Sequence, residues 1–159
     1  MFFTSFIEHL NSPTYRGCLV AEEWHNFQVF AKWFHENYKP EYMQNWHLDK
    51  DILVKGNKIY SPETCCFIPV EINLLLGKSK SKRGEYPIGV IKTKNRYIAV
   101  IGHEKRKIHI GSFLTINEAF IAYKNFKEKC IKEVADKYKD QITAKTYQAL
   151  YNYKVEITD

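Results

Sequence analysis

Residues 46–76, WHLDKDILVKGNKIYSPETCCFIPVEINLLL, contain the clearest pattern of secondary structure in the first half of the chain. Residues 47–53 alternate apolar and polar side chains, which is the pattern of a half-buried strand. Residues 55–64 contain the Gly, Asn and Pro residues that are typical of turns. A short apolar run at residues 65–68 predicts a second strand, and Pro69 suits the first turn of a helix, where its missing N–H costs nothing. The stretch therefore predicts two strands followed by a helix, a ββα unit.

Residues 21–38 predict the helix that supplies a core to this unit. Trp24, Phe27, Phe30 and Phe34 recur at three- and four-residue spacing, so one face of the helix is strongly apolar. A ββα unit alone has too little apolar surface to fold stably. We therefore expect the aromatic face of this helix to pack against the ββα unit.

The composition changes after the ββα unit. Residues 77–86, GKSKSKRGEY, are dominated by Gly, Ser and Lys, which predicts a flexible linker. This linker divides the chain into a first domain at residues 1–76 and a second domain at residues 87–159. The fold class predicted for the whole chain is α+β.

Three short strands and a helix are predicted in the second domain. The apolar alternation at residues 89–91, 96–101 and 107–111 predicts an antiparallel sheet with hairpin turns between its strands. Asn117 is a suitable N-cap for a helix that begins at Glu118. We expect this C-terminal helix to pack on the three-stranded sheet and to be followed by a helical extension.

Positive charge is concentrated in one third of the chain. The formal net charge of the protein is +6. Residues 78–110 contain ten Lys or Arg and two acidic residues, a net charge of +8, whereas the rest of the chain sums to −2. Such a concentration indicates a surface that binds a polyanion, with nucleic acid the first candidate. The alternative is a solvated surface that only keeps the protein in solution.

The cysteines and the hydropathy indicate a reducing compartment. The four cysteines, Cys18, Cys65, Cys66 and Cys130, form no C-x-x-C motif, so we expect free thiols rather than a zinc site. No apolar run approaches the roughly 20 residues that are needed to span a bilayer. We therefore expect a cytoplasmic protein.

Several short motifs within residues 46–76 occur together in a known family. They are Leu48-Asp49-Lys50-Asp51, Gly56-Asn57, Tyr60-Ser61-Pro62-Glu63-Thr64-Cys65, Pro69 and Glu71-Ile72-Asn73. This arrangement resembles the ββα-metal core of the HNH nucleases. More narrowly, it is similar to phage-encoded proteins that couple such a core to a plant-type Apetala (ethylene-response-factor-like) DNA-binding domain.

The resemblance implies a site for Mg²⁺ or another divalent metal. In the family, an Asp at the end of the first strand binds the metal, the following His activates water, and an Asn or His on the helix completes the site. Asp49 falls on the first position and Asn73, 24 residues later, falls on the helix position. Lys50 stands at the position of the catalytic His, and His47, on the same side of an ideal strand as Asp49, is the other candidate base.

The second domain has the pattern G-V, R-Y-x-A-x-I, I-x-I-G-x-F and E-A-x-x-A-Y, which runs from Gly89 to Tyr123. This set resembles the Apetala-type domain, in which a three-stranded sheet lies in the major groove of double-stranded DNA and a helix packs behind it. A β-ribbon fits that groove, and Arg or Lys side chains can reach bases and phosphates from it. The candidate DNA-binding residues are Lys82, Arg83, Lys92, Lys94, Arg96, Arg106, Lys107 and His109.

Three functions are consistent with these resemblances. The protein is a metal-dependent endonuclease that nicks or cleaves duplex DNA, a DNA-binding protein whose nuclease core serves only as a scaffold, or a phage inhibitor that binds a host defence protein. Lys50 favours the scaffold, because a cation can hold a phosphate but seldom accepts a proton at neutral pH. Structural roles compete for the same residues: His47 can pack within its strand, and residues 49–51 can form a turn or a salt-bridged surface cluster. A phage origin would place the protein in the cytoplasm of a bacterial host.

Overall fold

The computed structural model describes Tyr15 and residues 17–77, 85–103 and 106–159. The architecture is α+β, as the sequence predicts, with four α-helices and seven strands among the described residues. None of the described helices combines the length and the apolar character that crossing a membrane would require.

The chain divides into two compact units. The first unit is Met1–Val70 and the second unit is Glu71–Asp159. Residues 78–84, the greater part of the predicted linker, lie outside the described residues. The predicted domain boundaries at residues 76 and 87 therefore stay a prediction.

In its described part, the first unit is built from short strands around two helical segments. In chain order it contains β1 (Leu19–Val20), a 3₁₀ helix (Glu22–His25), α1 (Phe27–Asn37), β2 (Trp46–Asp49), β3 (Ile59–Tyr60) and β4 (Cys66–Pro69). β1 pairs with β3 in parallel, and β2 pairs with β4 in antiparallel register. The helix α2 (Val70–Leu76) follows β4 without an intervening loop, so the chain order of the ββα unit is the predicted one.

Most aromatic side chains of the predicted helix lie in the core of the first unit, but Phe27, which the sequence places on the same apolar face, is 51% exposed. Trp24 is fully buried and meets Phe30 edge to face, with ring centroids 5.1 Å apart. Phe67 on β4 stacks on Trp33 of α1 at a centroid distance of 5.6 Å. Burial of each large apolar side chain contributes about 2 kcal/mol to the free energy of unfolding. The β2–β4 pair and α1 therefore share one core.

The prediction of a single helix over residues 21–38 is wrong at Asn26. The helical structure is interrupted there, and the Asn26 side chain accepts a hydrogen bond from the backbone N–H of Gln28 at 2.9 Å. Asn is favoured at such a cap because its side chain satisfies an N–H that has no partner within the first turn. The interruption lets Trp24 enter the core from a separate 3₁₀ turn.

The first predicted strand is too long, because β2 ends at Asp49 rather than at Leu53. Asp49 Oδ1 accepts hydrogen bonds from the backbone N–H groups of Asp51 at 2.8 Å and Ile52 at 2.9 Å. A side chain that binds the backbone two and three residues ahead competes with strand pairing and bends the chain. The second predicted strand is displaced by one residue, since β4 ends at Pro69 and α2 begins after it.

The second unit contains a three-stranded sheet and two further helices. After α2 come β5 (Val90–Lys92), β6 (Tyr97–His103), β7 (Arg106–Phe113), α3 (Ile116–Lys137) and α4 (Ala144–Tyr151). The strands pair in antiparallel fashion in the order β5-β6-β7, α3 packs on the sheet, and α4 packs on α3. The predicted sheet packed on a C-terminal helix is therefore confirmed.

One face of the sheet is covered by α3. Val90, Ala99 and Ile101 are buried and occupy alternate strand positions on this side. Gly89, immediately before β5, approaches α3 so closely that a Cβ atom on it would lie 2.0 Å from the ring of Tyr123. Since successive strand residues point to opposite sides, the intervening residues form the other face of the sheet.

The N-terminus of α3 is capped by Thr115, not by Asn117 as the sequence predicts. The Thr115 hydroxyl accepts a hydrogen bond from the Glu118 backbone N–H at 3.2 Å, and the Glu118 carboxylate accepts one from the Thr115 N–H at 3.1 Å. This reciprocal arrangement satisfies two N–H groups, whereas a single cap residue satisfies one. The helix consequently begins at Ile116, before the predicted start.

Both ends of the second unit are anchored on α3. Glu71 of α2 accepts hydrogen bonds from the side chains of Lys137 and Tyr138 at the end of α3. Val155, close to the C-terminal residue, is almost fully buried, and its N–H donates to the Glu128 carboxylate at 2.9 Å. These contacts fix the segments that flank the sheet and its helix.

Gly89→Ala should destabilise the second unit. Gly89 has a φ of 77°, which costs other residues about 1–3 kcal/mol, and the added methyl group would overlap the Tyr123 ring, which costs a further 1–3 kcal/mol or so. Gly102→Ala is the matched control, because a Cβ at Gly102 meets no atom within 4 Å. Thermal unfolding followed by far-UV circular dichroism should show a large fall in Tm for Gly89→Ala only. An equal fall in both variants would contradict the close approach of α3.

Candidate nucleic-acid interface and candidate metal site

The outer face of the sheet is the face turned away from α3. Residues directly opposite one another on antiparallel strands point to the same side, so the strand register defines its rows. The register places Ile91 opposite Ile98, Val100 opposite His109 and Gly102 opposite Lys107. Arg96 precedes Ile98 by two residues, so it lies on the same side, because side chains alternate along a strand. The outer face consists of Ile91, Arg96, Ile98, Val100, Gly102, Lys107, His109 and Ser112.

A β-bulge in β7 determines which basic residues reach the outer face. The register shifts between Ala99 and Val100, so that Ile110 has no partner on β6. In a regular register His109 would lie on the side covered by α3. The extra residue moves His109 and Lys107 to the outer face. The sequence signal closest to the bulge is Gly111, because an isolated Gly within a strand often marks such an irregularity.

The predicted DNA-binding residues on the strands divide between the two sides of the sheet. Arg96, Lys107 and His109 are exposed on the outer face. Lys92 and Arg106 are also exposed, but each is the strand neighbour of an outer-face residue and therefore belongs to the α3 side. Of the predicted DNA-binding residues on the strands, only Arg96, Lys107 and His109 can therefore contact a ligand that lies flat on the outer face.

The remaining predicted DNA-binding residues lie beside the sheet or outside the described residues. Lys94 is exposed in the turn between β5 and β6. The Lys92 ammonium group lies 5.9 Å from the centre of the Tyr97 ring, a cation–π geometry at the rim of the sheet. Lys82 and Arg83 lie outside the described residues.

Arg96 is positioned by the tight turn that precedes β6. The backbone N–H of Thr93 donates to the Arg96 carbonyl at 2.8 Å, which closes the turn. The guanidinium donates from Nη1 to the Ser112 carbonyl on β7 at 3.3 Å, so the side chain lies across the sheet. A guanidinium has five N–H donors, and this bond leaves donors that can reach a phosphate or a guanine edge.

The segment between β2 and β3 is fixed by the side chain of Asn57. Its Nδ2 donates to the carbonyls of Lys50 and Ile59, each at 2.7 Å, and its Oδ1 accepts from the Ile59 N–H at 3.1 Å. Asn57 thereby ties the start of the segment to its end. The sequence indicated only a turn at this position, because the bonding partners of an Asn cannot be inferred from its presence in a turn.

The surroundings of Asp49, the predicted metal ligand, disfavour the ionised form of its carboxyl group. Burial, and then repulsion by the neighbouring Asp51 carboxylate, raises the pKa of Asp49 from 3.8 to about 6. The two backbone N–H groups that donate to Asp49 oppose this shift without cancelling it. A divalent cation would stabilise the ionised form of such a carboxylate, and carboxylate oxygens are ligands that suit Mg²⁺.

The two candidate bases have different surroundings. His47 is exposed and lies on the same side of β2 as Asp49. The Lys50 ammonium group lies 5.5 Å from the centre of the Tyr60 ring, where the negative ring face attracts a protonated amine. Lys50 is therefore placed as a cation, whereas His47 has the exposure that a base acting on water needs.

The other predicted metal ligand, Asn73, belongs to α2 and hence to the second unit. In the part of the chain that the structure describes, no three His, Cys, Asp or Glu side chains form a group that could hold a metal. Burial raises the pKa of the Cys65 thiol to about 12, so the metal-free protein holds this thiol in its protonated form at neutral pH. The Asp49–Asn73 pair stays a prediction.

Comparisons with protein-family models, with curated proteins and with solved structures gave no significant match to this chain. The resemblance to the HNH and Apetala families therefore depends on the sequence motifs alone. Two features of the structure bear on function, the outer face of the sheet and the surroundings of Asp49.

Asp49→Asn should stabilise the first unit at high pH. Because the folded protein holds the Asp49 proton more tightly than the unfolded chain, this group stabilises the fold fully below pH 3.8, and the contribution is lost as the pH rises through about 6. Asn carries no charge, and its side-chain oxygen can accept the same two N–H groups. We expect a gain at pH 8 of up to roughly 3 kcal/mol, which falls to about 1 kcal/mol at pH 4.5 and toward zero only below pH 3.8.

Urea unfolding followed by tryptophan fluorescence measures this effect, since all three tryptophans, Trp24, Trp33 and Trp46, lie in the first unit. Asp140→Asn, at an exposed position of the second unit, is the control and should leave the fluorescence transition unchanged. A stability difference between Asp49→Asn and the wild type that does not vary with pH would contradict the shifted pKa.

Proposed function

We propose that the protein binds double-stranded DNA by placing the outer face of its sheet in the major groove. The observation that carries the proposal is the position of Arg96, Lys107 and His109, three exposed polar groups on one side of the sheet. Among the residues that the structure describes, the outer face contains no acidic side chain, and the net charge of +8 over residues 78–110 attracts a polyanion to this part of the chain.

The dimensions of the sheet support this mode of binding. Neighbouring strands lie about 4.8 Å apart, so the backbone of a three-stranded sheet is about 10 Å wide. The major groove of B-DNA is about 12 Å wide and admits a β-ribbon. Arg96 and Lys107 lie at opposite ends of the outer face along β6 and β7, so they can contact the phosphates or base edges at either end of the groove segment.

The variant Arg96→Ala/Lys107→Ala should weaken binding of a 20-base-pair duplex about tenfold or more at 100 mM salt. If both residues contact phosphates, the slope of log K against log salt should fall by about 2 in magnitude. Fluorescence anisotropy titrations over a range of salt concentrations measure both quantities.

The matched control is Lys129→Ala/Lys139→Ala, which removes the same charge from exposed positions on α3 and just beyond it. We expect its affinity and its salt slope to stay near the wild-type values. Equal losses in the two double variants would indicate a general effect of net charge. Unchanged binding of the folded Arg96→Ala/Lys107→Ala variant would contradict the proposed interface.

A second candidate function is metal-dependent cleavage of the bound DNA. The observation that favours it is the raised pKa of Asp49 beside Asp51, which a divalent cation would relieve. By the family resemblance, Asp49 and Asn73 would hold the metal, which would activate water and neutralise charge on the phosphodiester. His47 is the better placed base, because Lys50 lies over the Tyr60 ring.

A nicking assay on supercoiled plasmid tests this function directly. If the protein is a nuclease, nicking should require Mg²⁺ or Mn²⁺, should stop with EDTA, and should be abolished in Asp49→Ala but retained in Glu41→Ala, an exposed acidic residue of the same unit. Intact gel-shift binding without nicking would leave the protein as a DNA-binding protein with a scaffold core. Nicking that survives in Asp49→Ala would contradict the assigned role of Asp49.

A further inference from the structure

The centre of the outer face is apolar, although its ends are polar. Ile91 and Ile98 lie directly opposite each other on β5 and β6, and Val100 is the next residue on the same side of β6. Ile91 is 42% exposed, and Ile98 and Val100 are half-buried. A sheet face that only met solvent would carry polar side chains at these positions. The three side chains therefore form an apolar strip on the proposed DNA-binding surface.

Polar groups border this strip on three sides. Arg96 precedes it at one end, Lys107 lies beyond it at the other end, and His109 and Ser112 flank it on β7. A partner that covers the strip must therefore present apolar groups in the middle and acceptors or negative charge around them. A basic partner would be repelled by the positive charges of the border, and a purely apolar partner would leave those charges unpaired. The major groove of DNA is flanked by negatively charged phosphates and therefore complements the border.

The spacing of the strip also fits the groove. Ile98 and Val100 are two residues apart on one strand, which corresponds to about 6.7 Å. This distance is about two base steps of B-DNA, at 3.4 Å for each step. The apolar group that bases present in the major groove is the methyl group on carbon 5 of the pyrimidine ring.

We propose that Ile91, Ile98 and Val100 read pyrimidine 5-methyl groups, so that the protein prefers duplexes that carry thymine, or cytosine methylated at the same carbon, at adjacent steps. This inference rests on the proposed DNA binding by the outer face. The methyl groups fill the space against the isoleucine and valine side chains. A duplex without them leaves that space unfilled or hydrated and lowers the affinity.

The experiment uses the full chain and three pools of duplexes that have the same random 20-base-pair core. One pool contains thymine, the second contains uracil in place of thymine, and the third contains uracil together with 5-methylcytosine in place of cytosine. The thymine pool should bind more tightly than the uracil pool, by about fourfold for each methyl group contacted. Recovery of affinity in the third pool would mean that any pyrimidine 5-methyl group is read, and no recovery would restrict the site to thymine.

Two variants separate methyl contacts from effects of uracil on the shape of the duplex. Ile91→Ala/Ile98→Thr removes apolar groups from the strip while keeping a β-branched residue at position 98, and it should reduce the preference for the thymine pool, to which Val100 still contributes. Ile121→Ala, at an exposed apolar position on α3, should keep the preference. If the double variant unfolds, the exposed single substitution Ile91→Ala should still reduce the preference.

The outcomes distinguish this inference from the function on which it rests. Equal, salt-dependent binding of the thymine and uracil pools by the wild type would overturn methyl readout and leave DNA binding intact. An undiminished preference for thymine in Ile91→Ala/Ile98→Thr would also overturn it. No binding of any pool at low salt would overturn both proposals.

Discussion

The packing of α3 against one side of the three-stranded sheet is the constraint on which the second unit depends. Ala99 on β6 and Ala119 on α3 are fully buried, and Gly89 leaves no space for a side chain beside Tyr123. Small residues at these positions let the helix lie close to the strands. Because α3 covers one side, the register of the strands decides which residues remain on the outer face.

The β-bulge at Ile110 then determines the chemistry of that outer face. It directs Lys107 and His109 away from α3 and brings them to the same side as Arg96. The cost is one unpaired residue in an edge strand, where bulges are common and also protect against pairing with other strands. A structural irregularity thus gives the sheet a basic border around an apolar centre, which is the combination that a DNA major groove can complement.

Much of this fold was predictable from the sequence, because strand alternation and the spacing of aromatic residues depend on local periodicity. The three strands of the second unit and the helix behind them are correctly predicted to within a few residues. The errors occur where a side chain binds the backbone: Asn26 caps α1, Asp49 ends β2, and Thr115 begins α3. Propensities rank such residues as cap or turn formers, but they do not say which backbone group each one binds.

The candidate sites were predictable only in part. The exposure of the basic residues follows from their charge, but the separation of Lys92 and Arg106 from Arg96 depends on register, and the position of His109 depends on the bulge. The raised pKa of Asp49 depends on the burial of its carboxyl group, and burial cannot be inferred from the sequence motif. The same motif is compatible with a metal ligand or with a turn residue, so the DNA-binding proposal has the stronger structural support.

A methyl NMR titration of the full chain with a short duplex would show directly whether the outer face of the sheet binds DNA. DNA binding through the outer face predicts that the methyl signals of Ile91, Ile98 and Val100 shift strongly, while those of Ile101 and Ile131, which are buried in the second unit, shift little. The opposite pattern, with shifts confined to the first unit or absent from these three residues at saturating DNA, would contradict it.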